Sequence, residues 1–195
     1  MKQTNREITG TAYRTLFHAL AFSAEKHKNQ RRKGQEHYPY INHPIRVGRY
    51  LSECCDGIDV VVLIAAVLHD TIEDTNTNPQ EIEALFGRDV LGMVIEVTDD
   101  KDLPREVRQR LQIETVSGNS CGAKLIRIAD KIDNVTELVH SPPAGWSDER
   151  KREYLQWAQE VVGRLEGTNA CLERMFEERV RQAERLLFSE GGAGT

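Results

Sequence analysis

The chain has 195 residues, 39% of them hydrophobic and 29% charged, with a net charge of −5. That balance fits a soluble globular chain, most economically one domain with a proper core, and argues against disorder and against a general nucleic-acid binder. The longest apolar run is about half of what a bilayer span requires, and no basic segment followed by an apolar one opens the chain, so neither a membrane span nor a signal peptide is expected.

Apolar side chains at Leu16, Ala19, Leu20 and Ala24 predict a helix over residues 11–28, preceded by an N-terminal extension of residues 1–10. A basic cluster, Lys26, Lys28, Arg31, Arg32 and Lys33, runs into a loop over 34–39. Tyr40, Ile41, Asn42, His43 and Pro44 follow, and Ile45, Val47, Tyr50 and Leu51 suggest a short second helix. Residues 60–68 form an apolar run without Gly or Pro, which reads as a buried third helix. Asn78-Pro79-Gln80-Glu81 supplies a cap, a proline at the first helical position and a glutamate placed to complete a capping box; that helix stops at Gly87.

Further helices are expected over 88–97, between Pro104 and Val116, and over 123–138, the last with Ile128, Ile132 and Val135 on its apolar side. Pro142, Pro143 and Gly145 break the chain, Ser147 caps a long amphipathic stretch, and residues 167–169 divide that stretch in two. Residues 189–195 are expected to form a flexible tail. Without repeats, strand alternation or a long linker, the fold class is all-α, one helical bundle over residues 11–188. Cys54, Cys55, Cys121 and Cys171 make no C-x-x-C pair, and reduced thiols in a cytoplasmic protein are expected.

The apolar run ends in His69-Asp70-Thr71-Ile72-Glu73-Asp74-Thr75. If the helix continues, His69 lies one turn from Glu73 and Asp70 one turn from Asp74, gathering one imidazole and three carboxylates at a polar helix end. Burying that much negative charge uncompensated costs several kcal/mol per ion, by order of magnitude, and a divalent cation is the usual remedy. His43, fixed between Asn42 and Pro44, and Asp130, set among apolar residues of its helix, complete a mixed nitrogen and oxygen set with His69 and Asp70. Such a set suits Mn²⁺, Fe²⁺ or Zn²⁺ better than Ca²⁺. The basic cluster supplies what an anionic substrate needs on a net-acidic protein.

The order His, His-Asp, distant Asp resembles the HD phosphohydrolase superfamily. Gln30-Arg31-Arg32-Lys33, Tyr40-Ile41-Asn42-His43-Pro44, the motif at 69–75 and Ala129-Asp130-Lys131 narrow the likeness to the hydrolase domain of RelA/SpoT proteins. The chain is most similar to their stand-alone small alarmone hydrolases of the metazoan type, from about Leu16 to Leu187.

That resemblance implies one metal ion, usually Mn²⁺, on His43, His69, Asp70 and Asp130, with Glu73 and Asp74 orienting and activating the attacking water. It implies a small-molecule substrate: guanosine 3′,5′-bispyrophosphate or its triphosphate form, cleaved to pyrophosphate and GDP or GTP, with no nucleic-acid or membrane partner. Arg32 and Lys33 match the pair that packs on the purine and faces the phosphates. Asn134 and Tyr154 match contacts to the sugar and phosphate region, and Lys101 and Arg105 are candidates for neutralising the 5′ phosphates. Asp133 departs from the pattern at a position expected beside the nucleotide pocket. That departure and the 34–39 loop leave adenosine alarmones open as substrates.

Two other readings compete: a nucleotide or NADPH phosphatase of the same superfamily, and a non-catalytic nucleotide sensor. His18 and His27 read as ordinary helix histidines, His37 as a loop residue near the basic cluster, and His140 as a helix-end histidine. Trp157 and Leu155 read as core and Trp146 as surface cover; Cys121 reads as structural or incidental.

Overall fold

The periodicity that starts at Thr11 belongs to a longer element. In the computed structural model, which describes residues 2–188 and their side chains from residue 10 on, α1 runs Lys2–Lys26. No proline interrupts residues 2–10, so the backbone continues the helix through them. The tail expected over 189–195 lies outside the described residues.

α2 (Asn42–Cys54) follows the basic loop, and α3 (Val60–Leu68) is the apolar run, its start capped by the Asp59 side chain accepting from the Val61 N–H at 2.9 Å. The helix does not continue through the motif, as a simple extension of the run predicts. The Thr71 hydroxyl donates to the Leu68 carbonyl at 2.6 Å and His69 Nδ1 to the Ala66 carbonyl at 2.7 Å, so side chains satisfy the last carbonyls of α3. His69 and Asp70 form a turn, and the chain resumes as the single-turn α4 (Thr71–Asp74).

α5 (Pro79–Phe86) begins at Asn78, whose side chain accepts from the Glu81 N–H, and ends at Gly87, where φ is 92°. α6 (Arg88–Glu96), α7 (Arg105–Thr115), a 3₁₀ turn at Val116–Gly118, and α8 (Cys121–His140) come next. α9 (Asp148–Gly163) starts at the Ser147 cap, and α10 (Ala170–Phe188) starts where Asn169 Oδ1 accepts from the N–H groups of Cys171 and Leu172. Among the described residues there is no strand, only isolated bridges at Arg31–Pro39 and Gly34–Pro143, and no helix is long and apolar enough to cross a membrane. The all-α expectation holds.

α8 is the axis of the bundle. It packs against α2, α9 and α10 and also touches α3 and α6, while α3 lies between α1, α2 and α6. Leu51, Leu68, Ile126, Ile128, Ile132 and Leu172 fill the core between them and are all fully buried. Alongside these, α8 buries Arg127, Asp130, Lys131 and Asp133. Charges are seldom buried unless they are paired, so these residues mark where α8 meets charged partners on its neighbours.

Two features anchor the ends of this arrangement. Cys54 and Cys171 form a disulfide between the end of α2 and the start of α10, contrary to the expectation of four thiols; Cys55 and Cys121 are free. The bridge spans 117 residues of sequence, so the meeting of two helix ends decides it and no local spacing reveals it. At the other end, the basic loop lies against the 141–147 loop: the Ala144 N–H donates to the Lys33 carbonyl at 3.2 Å. A Cβ on Gly34 would overlap the backbone of Ser141, so only glycine allows that approach.

Candidate metal centre and cleft

Three segments far apart in sequence deliver four potential ligands to one point. His43 comes from the first turn of α2, His69 and Asp70 from the break after α3, and Asp130 from the middle of α8. One ligand atom each of His43, His69 and Asp130 lie within 4.8 Å of one another. Asp70 Oδ2 sits 3.1 Å from His69 Nε2 and 3.4 Å from His43 Nε2, and Asp130 Oδ1 is 3.2 Å from His43 Nε2.

The tautomers fit a cation. His69 Nδ1 donates to a carbonyl and must carry a proton, which leaves Nε2 a lone pair; that atom is buried and has no hydrogen-bond partner. His43 Nδ1 faces Asp133 Oδ2 at 2.6 Å, which holds its proton there and turns Nε2 toward Asp70 and Asp130. The two imidazole Nε2 atoms and the two carboxylates form the N/O set expected for Mn²⁺, Fe²⁺ or Zn²⁺.

Without a cation the same groups pair with each other. Burial and the Arg32 charge disfavour a charged His43, but hydrogen bonds to Asp130, Asp133 and Asp70 outweigh them and push it up to about 10. Burial also disfavours His69⁺, which the Asp70 charge nevertheless raises. Asp70 and Asp130 are held well below the usual carboxylate range against burial, chiefly by His69 and Lys131 respectively. A divalent ion entering the cluster would replace these protons.

The two acidic helpers leave the cluster in different directions. Because α4 is a fresh turn, it does not continue the helix that ends before His69; Glu73 Oε2 accepts from the Asp99 N–H at 2.8 Å, and Oε1 lies 4.0 Å from Arg108 Nη1. Burial pushes Glu73 up to about 7, partly opposed by that backbone bond and reinforced by the charges of Asp70, Asp99 and Asp74. Asp74 accepts from Gln30 Nε2 at 2.9 Å and from Lys101. Asp70 accepts from the Tyr40 hydroxyl at 2.6 Å.

His43, Asp70 and Asp130 line a cleft of about 460 Å³, and the buried His69 is not among its lining residues. Arg32, Lys33, Lys101, Asn134 and Tyr154, named from sequence, all line it, as do Asp70, Glu73, Asp74 and Asp130. Arg32 pairs with Glu137, donates to Asn134 Oδ1 at 2.7 Å and lies over the Tyr40 ring. Asn134 Nδ2 in turn donates to Asp130 Oδ1 at 2.5 Å. Arg105 and His37 are not among the lining residues; the Arg105 guanidinium lies over the Trp146 ring, 5.9 Å from its centre.

Asp133 is not beside the pocket either. It is wholly buried behind His43 and is held down at about 2, against burial, by His43 and Arg46.

Several lining residues escaped the reading from sequence. Trp146 and Trp157, taken there for cover and core, flank Tyr154 in the cleft at centroid distances of 5.7 and 5.4 Å. Burial raises the Tyr154 hydroxyl far above its ordinary value, so it stays a hydrogen-bond donor. Gln30, Tyr40, Arg108, Arg127 and Lys131 also line the cleft. His27 supports Tyr40 by stacking on it at 4.8 Å. The one usable signal was buried charge on a helix, since Arg127 and Lys131 flank Asp130 in a largely apolar stretch.

Comparison with known proteins places this geometry. The model of the HD domain family matches residues 19–161. A Xenopus tropicalis protein named guanosine-3′,5′-bis(diphosphate) 3′-pyrophosphohydrolase MESH1 is 54% identical over 158 residues, 81% of this chain and 88% of that protein. The Homo sapiens protein of the same name is 48% identical over 173 residues, 89% of this chain and 97% of that one. A solved structure described as a metazoan ortholog of SpoT that hydrolyzes ppGpp superposes with a TM-score of 0.83 at 48% identity, covering 86% of this chain and 94% of the other.

Proposed function

The chain belongs to the HD domain family, and from that premise we propose that it is a metal-dependent phosphohydrolase that removes pyrophosphate from the ribose 3′ position of guanosine 3′,5′-bispyrophosphate and its triphosphate form. The observation that carries this reading is the meeting of the His43, His69, Asp70 and Asp130 cluster with a cation-lined cleft, which reaches the cluster at His43, Asp70 and Asp130. The MESH1 relatives and the ppGpp-hydrolysing structural neighbour support the substrate class.

His43, His69, Asp70 and Asp130 would hold one ion, for which Mn²⁺ is the first choice and Fe²⁺ or Zn²⁺ the alternatives. When bound, the ion polarises a phosphoryl oxygen and makes water more acidic. Glu73, at about 7, is matched to accepting a proton from the attacking water near neutral pH, and Asp74, fixed by Gln30 and Lys101, orients that water. Water adds to the phosphorus on the 3′ oxygen, the bond between that phosphorus and the 3′ oxygen breaks, and the 3′ oxygen leaves with the ribose and takes up the proton that Glu73 removed from the water. Arg32, Lys33 and Lys101 neutralise the anionic substrate; Asn134 and Tyr154 meet its sugar and phosphate region.

The test incubates the protein with Mn²⁺ and, in parallel, guanosine and adenosine 3′-pyrophosphorylated nucleotides and NADPH, with products separated by ion exchange. Pyrophosphate from the guanosine nucleotide supports the proposal. Orthophosphate from NADPH alone replaces it with a phosphatase, and inertness on all three replaces it with a sensor. A cytoplasmic location belongs to the same proposal and is tested by fractionation.

A further inference from the structure

Asp133 does not itself line the cleft, yet it takes hydrogen bonds from three successive turns of α2. His43 Nδ1 lies 2.6 Å from Oδ2; Arg46 donates Nε to Oδ1 at 2.6 Å and Nη2 to Oδ2 at 2.9 Å; the Tyr50 hydroxyl is 3.5 Å from Oδ1. His43, Arg46 and Tyr50 share one helix face by their spacing of three and four residues. A buried carboxylate facing only a neutral imidazole would carry an uncompensated charge, and Arg46 removes that penalty with a two-pronged pair.

The network does not stop there. Arg46 Nη2 also donates to Glu137 Oε1 at 2.9 Å, and Glu137 pairs with Arg32, which bonds Asn134, which bonds Asp130. Asp130 Oδ1 lies 3.2 Å from His43 Nε2, so these contacts close into a ring that passes through two candidate ligands and three further cleft residues, Glu137, Arg32 and Asn134.

We propose that Asp133 and Arg46 are positioning residues for the metal centre: Asp133 fixes the ring orientation and Nδ1–H tautomer of His43 so that its Nε2 lone pair points at the ion, and Arg46 makes that buried carboxylate sustainable. The inference rests on the metal-site reading above and extends it to two residues outside the cleft. Outer partners of metal-bound histidines typically set affinity by 10–100-fold. Asp133 and Arg46 thus govern ion retention without touching ion or substrate.

The test titrates Mn²⁺ calorimetrically into chelator-stripped protein, at a temperature where circular dichroism shows every variant folded. Asp133→Leu and Arg46→Met should each weaken Mn²⁺ binding by about 10–100-fold. The double variant should bind no more weakly than Asp133→Leu alone, because Arg46 acts through Asp133. Asp133→Asn, which keeps an acceptor for the His43 N–H, should retain most of the affinity, and a loss as large as that of Asp133→Leu contradicts the orienting role. If the leucine variant does not fold, Arg46→Met carries the test, and unchanged affinity there overturns the proposal. His43→Ala should lose binding. Unchanged affinity in Asp133→Leu beside lost affinity in His43→Ala overturns this proposal and leaves the metal site standing. Unchanged affinity in His43→Ala overturns the metal-site reading itself.

Discussion

Glu73 and Asp74 are neighbours in the chain but are tied to different walls of the cleft, Glu73 to the Asp99 N–H at 2.8 Å and Asp74 to the Gln30 amide at 2.9 Å. The pair is therefore held from both sides rather than free to swing. The two differ in kind: burial and the neighbouring carboxylates favour a proton on Glu73, while Asp74 is paired with Lys101.

Glu73→Gln keeps the Asp99 N–H acceptor and removes the base. Turnover should fall by two or more orders of magnitude, about what a positioned base contributes, with Mn²⁺ binding unchanged. The wild-type rate should rise through a pH near 7, because the carboxylate form is the active one. Steady-state kinetics across pH 5.5–8.5 check both; a variant as active as wild type removes Glu73 from the mechanism.

The same residue makes a prediction about stability. Its pKa is about 7 folded against an ordinary 4.5, so the proton favours the folded state. That contribution is complete below the unfolded value and is lost as pH rises through 7, leaving a cost of roughly 3 kcal/mol at higher pH. In EDTA, Glu73→Gln should raise the melting temperature at pH 8.5 and much less at pH 5. Equal shifts at the two pH values would contradict the assignment.

Arg32→Ala removes a charge that Glu137 shares with Arg46, so the fold should survive. KM should rise about tenfold or more while kcat changes far less, the pattern of lost uniform binding. An unchanged KM counts against Arg32 as a substrate clamp.

Gly34→Val would drive the basic loop off the Ser141 backbone. Overpacking of this kind costs about 1–3 kcal/mol, and it displaces Arg32 and Lys33 together. Thermal melts should show the loss, and KM should rise more than kcat falls. A variant melting and binding like wild type would show that the two loops do not need this approach.

The sequence made the helices legible where caps and breakers sit at their ends, as at Asn78, Gly87, Ser147 and Asn169. The candidate ligands were legible because His43, His69-Asp70 and Asp130 stand out against apolar or rigid surroundings. What escaped depended on side chains competing with the backbone or meeting across distant elements. The break at His69 arises from two local carbonyl bonds, the Cys54–Cys171 bridge from the meeting of α2 with α10, and the place of Asp133 from its partners on α2. Trp157 packs against the core as read and also lines the cleft, and the cleft role of both Trp146 and Trp157 was missed because an aromatic lining a cleft has the same sequence signature as one that fills a core or covers a surface.

Turnover of guanosine 3′,5′-bispyrophosphate in ¹⁸O-water, with Mn²⁺ and mass spectrometry of the products, tests the central claim most directly. Attack of water at the phosphorus on the 3′ oxygen puts one ¹⁸O into released pyrophosphate and none into the nucleotide. Labelled orthophosphate, or label retained on the ribose, would contradict it.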